Sequence, residues 1–406
     1  MKNIGIKIAL YLNYFVFAIL LNSVGIVILK SQKNYGVDEV QASILEAFKD
    51  MPIAIVSFFI ASFLPRIGYK KAMLTGLALV TLACIAMYFG NSFDSAKLLF
   101  ATVGVSFALI KVSVYSLIGT VTENQKEHNA LMSSIEGVFM IGIALAYFLF
   151  PAFNEESNPD SWLNVYWFLA GLSLLSFLFL FFTKFEEITA TAGANFKDDF
   201  LQMFKLIAKM LTVIFVISVF LFVMIEQGIL SWLPTFNTKV LHLPENISIM
   251  MASILAISLA VGRLVAGIIT KKVNWIWVLS VCVISAMGIV YFVLPNVVGL
   301  EVKNINSLSD IPLIGFAFPL IGLFIAPIYP LLNSIVLSSL PKNLQSSMTG
   351  LIVIFSALGG TLGSRITGWL FKNEGPEKAF YFTLIPMALL LISFFILKKI
   401  TAKNEI

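Results

Sequence analysis

Eight ionisable side chains interrupt stretches that are otherwise almost wholly apolar: Glu46, Lys49, Asp50, Lys111, Glu136, Glu226, Arg263 and Arg365. In lipid each such group costs roughly 2.5–3.5 kcal/mol to insert, so it is kept by facing a partner, a cavity or a transport pathway. Glu46, Lys49 and Asp50 fall at i, i+3 and i+4, on one helix face, and can pair locally to leave one negative charge. Lys111 and Glu226 lie near the middle of their stretches. A carboxyl taken out of water there can take up and release a proton, while a lysine can neutralise a solute carboxylate or pair with the acid in the empty site. Other chemistries lack their residues. His128 and His242 stand apart in loops and make no metal site. Gly359-Gly360-Thr-Leu-Gly363 follows no strand and carries no Lys-Ser/Thr, so these are packing glycines and not a phosphate cradle. No nucleophile constellation appears, so the sequence argues against an enzyme, against ATP-driven transport, and for no cofactor or metal.

The elements that position these charges follow from composition. Of the 406 residues, 59% are hydrophobic and only 12% charged, with a mean hydropathy of +0.94. A soluble domain carries about a quarter charged residues, so the surplus apolar surface must face acyl chains. The formal charge of +5 is spread between hydrophobic runs and not gathered into a nucleic-acid patch. Cys84 and Cys282 sit inside apolar runs and read as packing residues. Lys2 and Lys7 precede an apolar run from Ile8 to Leu29 that is too long for a signal core and has no Ala-x-Ala-like close, so it reads as a retained first span.

A bilayer core takes about 20 helical residues. That window predicts twelve spans, at 8–30, 43–65, 71–90, 97–121, 128–152, 161–183, 210–235, 246–270, 274–295, 311–340, 344–371 and 378–397, with Pro319, Pro327 and Pro330 breaking or kinking the tenth. Lys and Arg number 16 in the odd-numbered extramembrane segments and 7 in the others, which puts both termini in the cytoplasm. The segment 184–209 divides the chain into a six-helix bundle at 1–183 and another at 210–406, and its part from Phe196 to Lys209 has the pattern of an amphipathic surface helix. Trp162 and Trp167 read as interface anchors, and the lysines between spans as solvated topology signals.

Leu64-Pro65-Arg66-Ile67-Gly68-Tyr69-Lys70-Lys71 resembles the basic loop between helices two and three of the major facilitator superfamily, with Pro65 where that family has an Asp; no relay through that position carries over. Gly262-Arg263-Leu264 with Gly267 looks like its second-half echo. Glu226-Gln227-Gly228-Ile229-Leu230-Ser231-Trp232-Leu233-Pro234 is similar to a segment of the fucose and glucose/galactose–proton symporter branch, but Lys111 stands where that branch has an acid on span four, so sugar specificity is not inherited.

The resemblance implies an all-α membrane protein of twelve transmembrane helices in two pseudo-symmetric six-helix bundles. It also implies a central cavity lined by helices one, four, seven and ten, which makes Lys111 and Glu226 the expected solute and proton site. Asn13, Asn22, Tyr115, Gln227, Trp232, Tyr329 and Asn333 would complete that cavity. Helices two and eleven, and five and eight, would meet across the halves. Asp50–Arg365 is then an expected outer gate and Glu136–Arg263 an inner one, at matched depths of roughly 10–12 Å, with Glu46 and Lys49 beside Asp50. The expected function is proton-coupled uptake of a small polar solute (sugar, carboxylate or zwitterion) by alternating access. Proton-driven efflux of amphipathic compounds and a non-transporting receptor or scaffold are the alternatives. A monomer in a bacterial inner membrane is expected, with solute, protons and lipid as its partners and no nucleic acid.

Overall fold

The computed structural model describes residues 4–122, 125–155, 157–184, 205–270, 272–298, 305, 307–338 and 342–404. Most of the expected surface helix, 196–204, and much of the expected linker lie outside the described residues. Among the described residues the regular structure is helical, as lipid requires of a chain that must satisfy every backbone N–H and C=O internally. Among the described residues, eleven helices are long and apolar enough to cross a membrane. The expected second span is the 24-residue helix Ile44–Ile67, which opens on Glu46, Lys49 and Asp50. The chain divides into two compact units, Met1–Gly36 with Phe48–Phe196, and Val37–Ala47 with Lys197–Ile406.

The first unit contains α1 (Ile4–Asn22) and α2 (Val24–Tyr35), which run on as one span, the latter part of α4 (Ile44–Ile67), α5 (Tyr69–Gly90), α6 (Phe93–Val121), α7 (Gln125–Ala152) and α8 (Val165–Phe182). Small residues let these helices approach closely. A Cβ on Gly142 of α7 would stand 2.6 Å from that of Ala18 on α1. Buried polar groups tie further pairs: Ser176 donates to Asn13 over 3.0 Å, and the Thr81 and Ser173 hydroxyls are 2.9 Å apart. The first span runs to Tyr35, beyond the expected 30, and this corrects two readings. Lys30 is not a solvated loop charge but is buried, donating to Asn154 Oδ1 at 2.6 Å with its ammonium 5.8 Å from the Trp162 ring centre. Trp162 is likewise enclosed and not an interface anchor, whereas Trp167 is exposed.

The second unit contains a short helix α3 (Glu39–Ala42), closed by a capping box between Asp38 and Gln41. It continues with α9 (Met210–Leu230), α10 (Leu233–Lys239), α11 (Glu245–Ile269), α12 (Trp275–Gly288), α13 (Leu294–Val298), α14 (Gly322–Ile325), α15 (Ile328–Ser338), α16 (Lys342–Asn373), α17 (Pro376–Ala379) and α18 (Leu384–Asn404). The expected break in the tenth span is present: 3₁₀ turns over Leu313–Phe316 and Phe318–Ile321 lead into α14, and the helix stops before Pro327 and restarts at Ile328. Ahead of Pro295, which has no N–H to give, the chain widens to a π turn at Ile289–Val293. α9 and α16 are packed backbone to backbone. Gly359 and Gly363, one turn apart, leave no room for a Cβ against the carbonyls of Phe220 and Met224. These glycines pack helices, as their setting in the sequence indicates.

Candidate functional site

Each unit carries its own intramembrane charge cluster. In the first, Phe107, Lys111 and Tyr115 are spaced by four on α6 and so share a face. The Lys111 ammonium lies 5.8 Å from the Phe107 ring centre and 5.9 Å from that of Tyr115, within cation–π range. Tyr115 donates its hydroxyl to Glu136 Oε1 of α7 at 2.8 Å. Tyr14 of α1 closes the group, its ring 6.2 Å from Phe107, 6.3 Å from Tyr115 and 5.7 Å from Phe139. A flexible lysine is thus held among rings beside a carboxylate anchored by a phenol. The arrangement can meet an anionic or hydroxylated group on one side and an apolar body on the other.

In the second unit Glu226 of α9 and Arg263 of α11 form an ion pair, Nη2 to Oε1 3.6 Å, with side chains 14% and 33% exposed. Phe222, one turn before Glu226, meets the Tyr329 ring at 5.7 Å, and the Tyr329 hydroxyl is 3.4 Å from that of Ser356. The side-chain oxygens of Gln227 and Asn333 are buried and accept no hydrogen bond from described residues. Buried acceptors of this kind are costly unless a ligand or water satisfies them. Trp232 is enclosed, its indole N–H donating to Ser364 Oγ at 3.0 Å and its ring 5.0 Å from Phe371, so its polar atom is already used in packing. Asn22 is bonded within its own helix, to the Ala18 carbonyl at 2.9 Å.

A third cluster holds the segment 37–47 against the helices of the second unit. Arg365 of α16 donates to the Val40 carbonyl at 2.8 Å, Lys372 pairs with Asp38 at 2.8 Å, Lys239 pairs with Glu39, and Ser231 donates to Glu46 at 2.8 Å. The Lys372 ammonium and the Gln41 backbone N–H hold the Asp38 carboxyl below its ordinary range. A Cβ on Gly368 would be 2.8 Å from the Glu39 carbonyl, so backbones touch there too. Lys49 and Asp50, expected to pair locally, are 3.6 Å apart.

The two expected gate pairs join residues of different units, and each member has a partner in its own: Asp50 with Lys49, Arg365 with Val40, Glu136 with Tyr115, Arg263 with Glu226. The role of Tyr14, Phe107 and Phe139 was not legible, although the spacing of Phe107, Lys111 and Tyr115 already signals a shared face. Lys239 and Lys372, which in the sequence look like loop cations, are ion-paired.

Long apolar helices with ionisable side chains set among them mark a multi-pass membrane protein, and the family it belongs to is one of transporters, not enzymes. The chain belongs to the major facilitator superfamily, whose family model matches residues 10–364. It is 23% identical, over 92% of its length and 90% of the relative's, to a protein TsgA homolog of Buchnera aphidicola subsp. Baizongia pistaciae (strain Bp). Among solved structures it resembles a bacterial homolog of the human lysosomal transporter Spinster, inward-facing and occupied, with a TM-score of 0.75 at 14% identity over 97% of this chain and 96% of that one. It also resembles the E. coli fucose:proton symporter, with a TM-score of 0.64 at 14% identity over 98% of this chain and 99% of that one. At such identities these structures speak for the fold alone.

Proposed function

We propose that the chain is a proton-coupled importer of a small polar solute, working by alternating access between halves 1–183 and 210–406 with both termini cytoplasmic. The observation that carries this reading is the presence in each unit of an acid and a base inside the helical layer: Lys111 with Glu136 through Tyr115, and Glu226 with Arg263. Groups that costly are kept in membrane helices for solute and proton handling.

Uptake into proteoliposomes under an imposed pH gradient, screened across sugars, carboxylates and peptides, tests the proposal. Gradient-driven accumulation of at least one solute is expected, and accumulation that ignores the gradient for every solute taken up would end the proton-coupling claim. The rings around Lys111 favour a second reading, proton-driven efflux of amphipathic compounds. That reading requires the same gradient to drive such compounds outward.

A further inference from the structure

Resting on the proposed import, we propose that Arg263 anchors a carboxylate or phosphate group of the transported solute and that Glu226, its resting partner, must take up a proton for the anion to bind. The chain has only three arginines among 27 basic residues, Arg66, Arg263 and Arg365. Arg365 is engaged with the Val40 carbonyl. A guanidinium presents a planar fork suited to two-point capture of carboxylate or phosphate, which an ammonium does not. At 3.6 Å the contact with Glu226 is an ion pair, but it is longer than an N–H···O hydrogen bond. Glu226 therefore balances the charge of the guanidinium without a short hydrogen bond at this contact, the buried Arg263 Nε donates no hydrogen bond among the described residues, and a third of the Arg263 side chain is exposed. The arginine is also well placed to act as a fixed anchor. At the preceding residue, Gly262, α11 is pressed against the Leu323 carbonyl so closely that no Cβ fits.

Charge balance supplies the coupling. The Glu226–Arg263 pair is neutral, and adding an anion to it would bury a net negative charge at high cost. A proton on Glu226 entering with the anion leaves the charge of the site the same before and after. Each ligand then raises the affinity of the other by the same factor. The surrounding elements bring other ionisable groups, each with its own partner or place. Glu46 accepts from Ser231, Tyr329 meets Ser356, Lys239 and Lys372 pair with Glu39 and Asp38, Asp310 accepts from Ser307, Glu245 lies at the far, first turn of α11, and Tyr381 lies in the 3₁₀ turn Phe380–Thr383. On α18, which packs on α9 where Ser393 meets Ser218, the charges begin only at Lys398.

The test is calorimetric binding to the full-length protein in phosphatidylcholine nanodiscs. Its probes are three matched pairs: glucuronate with glucose, nicotinate with nicotinamide, and uridine monophosphate with uridine. The acid of at least one pair should bind and its neutral partner should not, with affinity falling up to about tenfold per pH unit as one proton is lost from the site. Glu226→Gln should bind that acid at neutral pH more tightly than the unaltered protein does, with the pH dependence gone. Arg263→Lys should weaken binding about tenfold or more, the loss of one charged hydrogen bond. The double variant Glu226→Gln/Arg263→Gln, which keeps the site neutral and should fold, should bind none of the six. Binding of neutral members as well as acids, a pH dependence that survives in Glu226→Gln, or no acid bound by either protein overturns the proposal. Displacement of the acid by added phosphatidylglycerol would assign the anchor to a lipid headgroup and overturn it likewise. Gradient-driven uptake of a neutral solute alone would leave proton-coupled import standing and this site refuted. Acid binding of the kind described, without gradient-driven uptake, would do the reverse.

Discussion

In the second unit the Arg365 guanidinium donates to the backbone carbonyl of Val40 at 2.8 Å. The acceptor is a main-chain atom, so no side-chain substitution removes it, and no reversed charge elsewhere replaces it. Exchanging the charges of Asp50 and Arg365, the pair the sequence suggests as an outer gate, therefore has a definite outcome. Asp50→Arg combined with Arg365→Asp should transport no better than the worse single variant. Arg365→Gln, which can still donate, should retain more transport than Arg365→Leu. Initial uptake rates in proteoliposomes decide both.

The Asp38–Lys372 pair gives the same segment a pH dependence of known sign. Asp38 has its pKa lowered from 3.8 by the Lys372 hydrogen bond and then by the Gln41 amide. A lowered acid contributes stability above its ordinary pKa and loses it as pH falls through the depressed one. Protection of the amides at 37–42 against hydrogen exchange should thus be flat from neutrality down to about pH 4 and fall below it. The pair is solvent-exposed, so raised salt should weaken it as well.

Where backbones touch, glycine is required. Gly359→Ala and Gly363→Ala push a methyl into the carbonyls of Phe220 and Met224 and should each destabilise the protein by roughly 1–3 kcal/mol, as overpacking does. Gly137→Ala on α7 meets nothing within 4 Å and should stay close to neutral. Thermal unfolding in one detergent separates the two outcomes.

The ring cluster makes a separable prediction. Tyr115→Phe keeps the ring beside Lys111 but removes the hydroxyl bonded to Glu136. Losing one hydrogen bond to a charged group is worth about 1.5–3 kcal/mol, so transport of the cognate solute should fall by about tenfold or more. Lys111→Met should abolish that transport, and Lys111→Arg should preserve part of it. Equal activity of Tyr115→Phe and the unaltered protein would remove Tyr115 from the site.

Much of this molecule is determined along the chain itself. Burying a twenty-residue apolar run in lipid is a local free-energy balance, so helices appear where hydropathy puts them, the tenth span breaks at Pro327, and Gly359 and Gly363 pack. Span ends are less sharply set, because lysine can either snorkel or be buried with a partner. Lys30 lies inside the bundle with Asn154, 124 residues away, as an acceptor and with the enclosed Trp162 ring beside its ammonium. The sequence also marks which charges sit in the membrane, since each stands out against its apolar neighbours. Partner choice depends on which helix faces meet, and that is a property of the packed helices alone. Only the tertiary structure gives Glu226 to Arg263, Glu136 to Tyr115, and the Val40 carbonyl to Arg365.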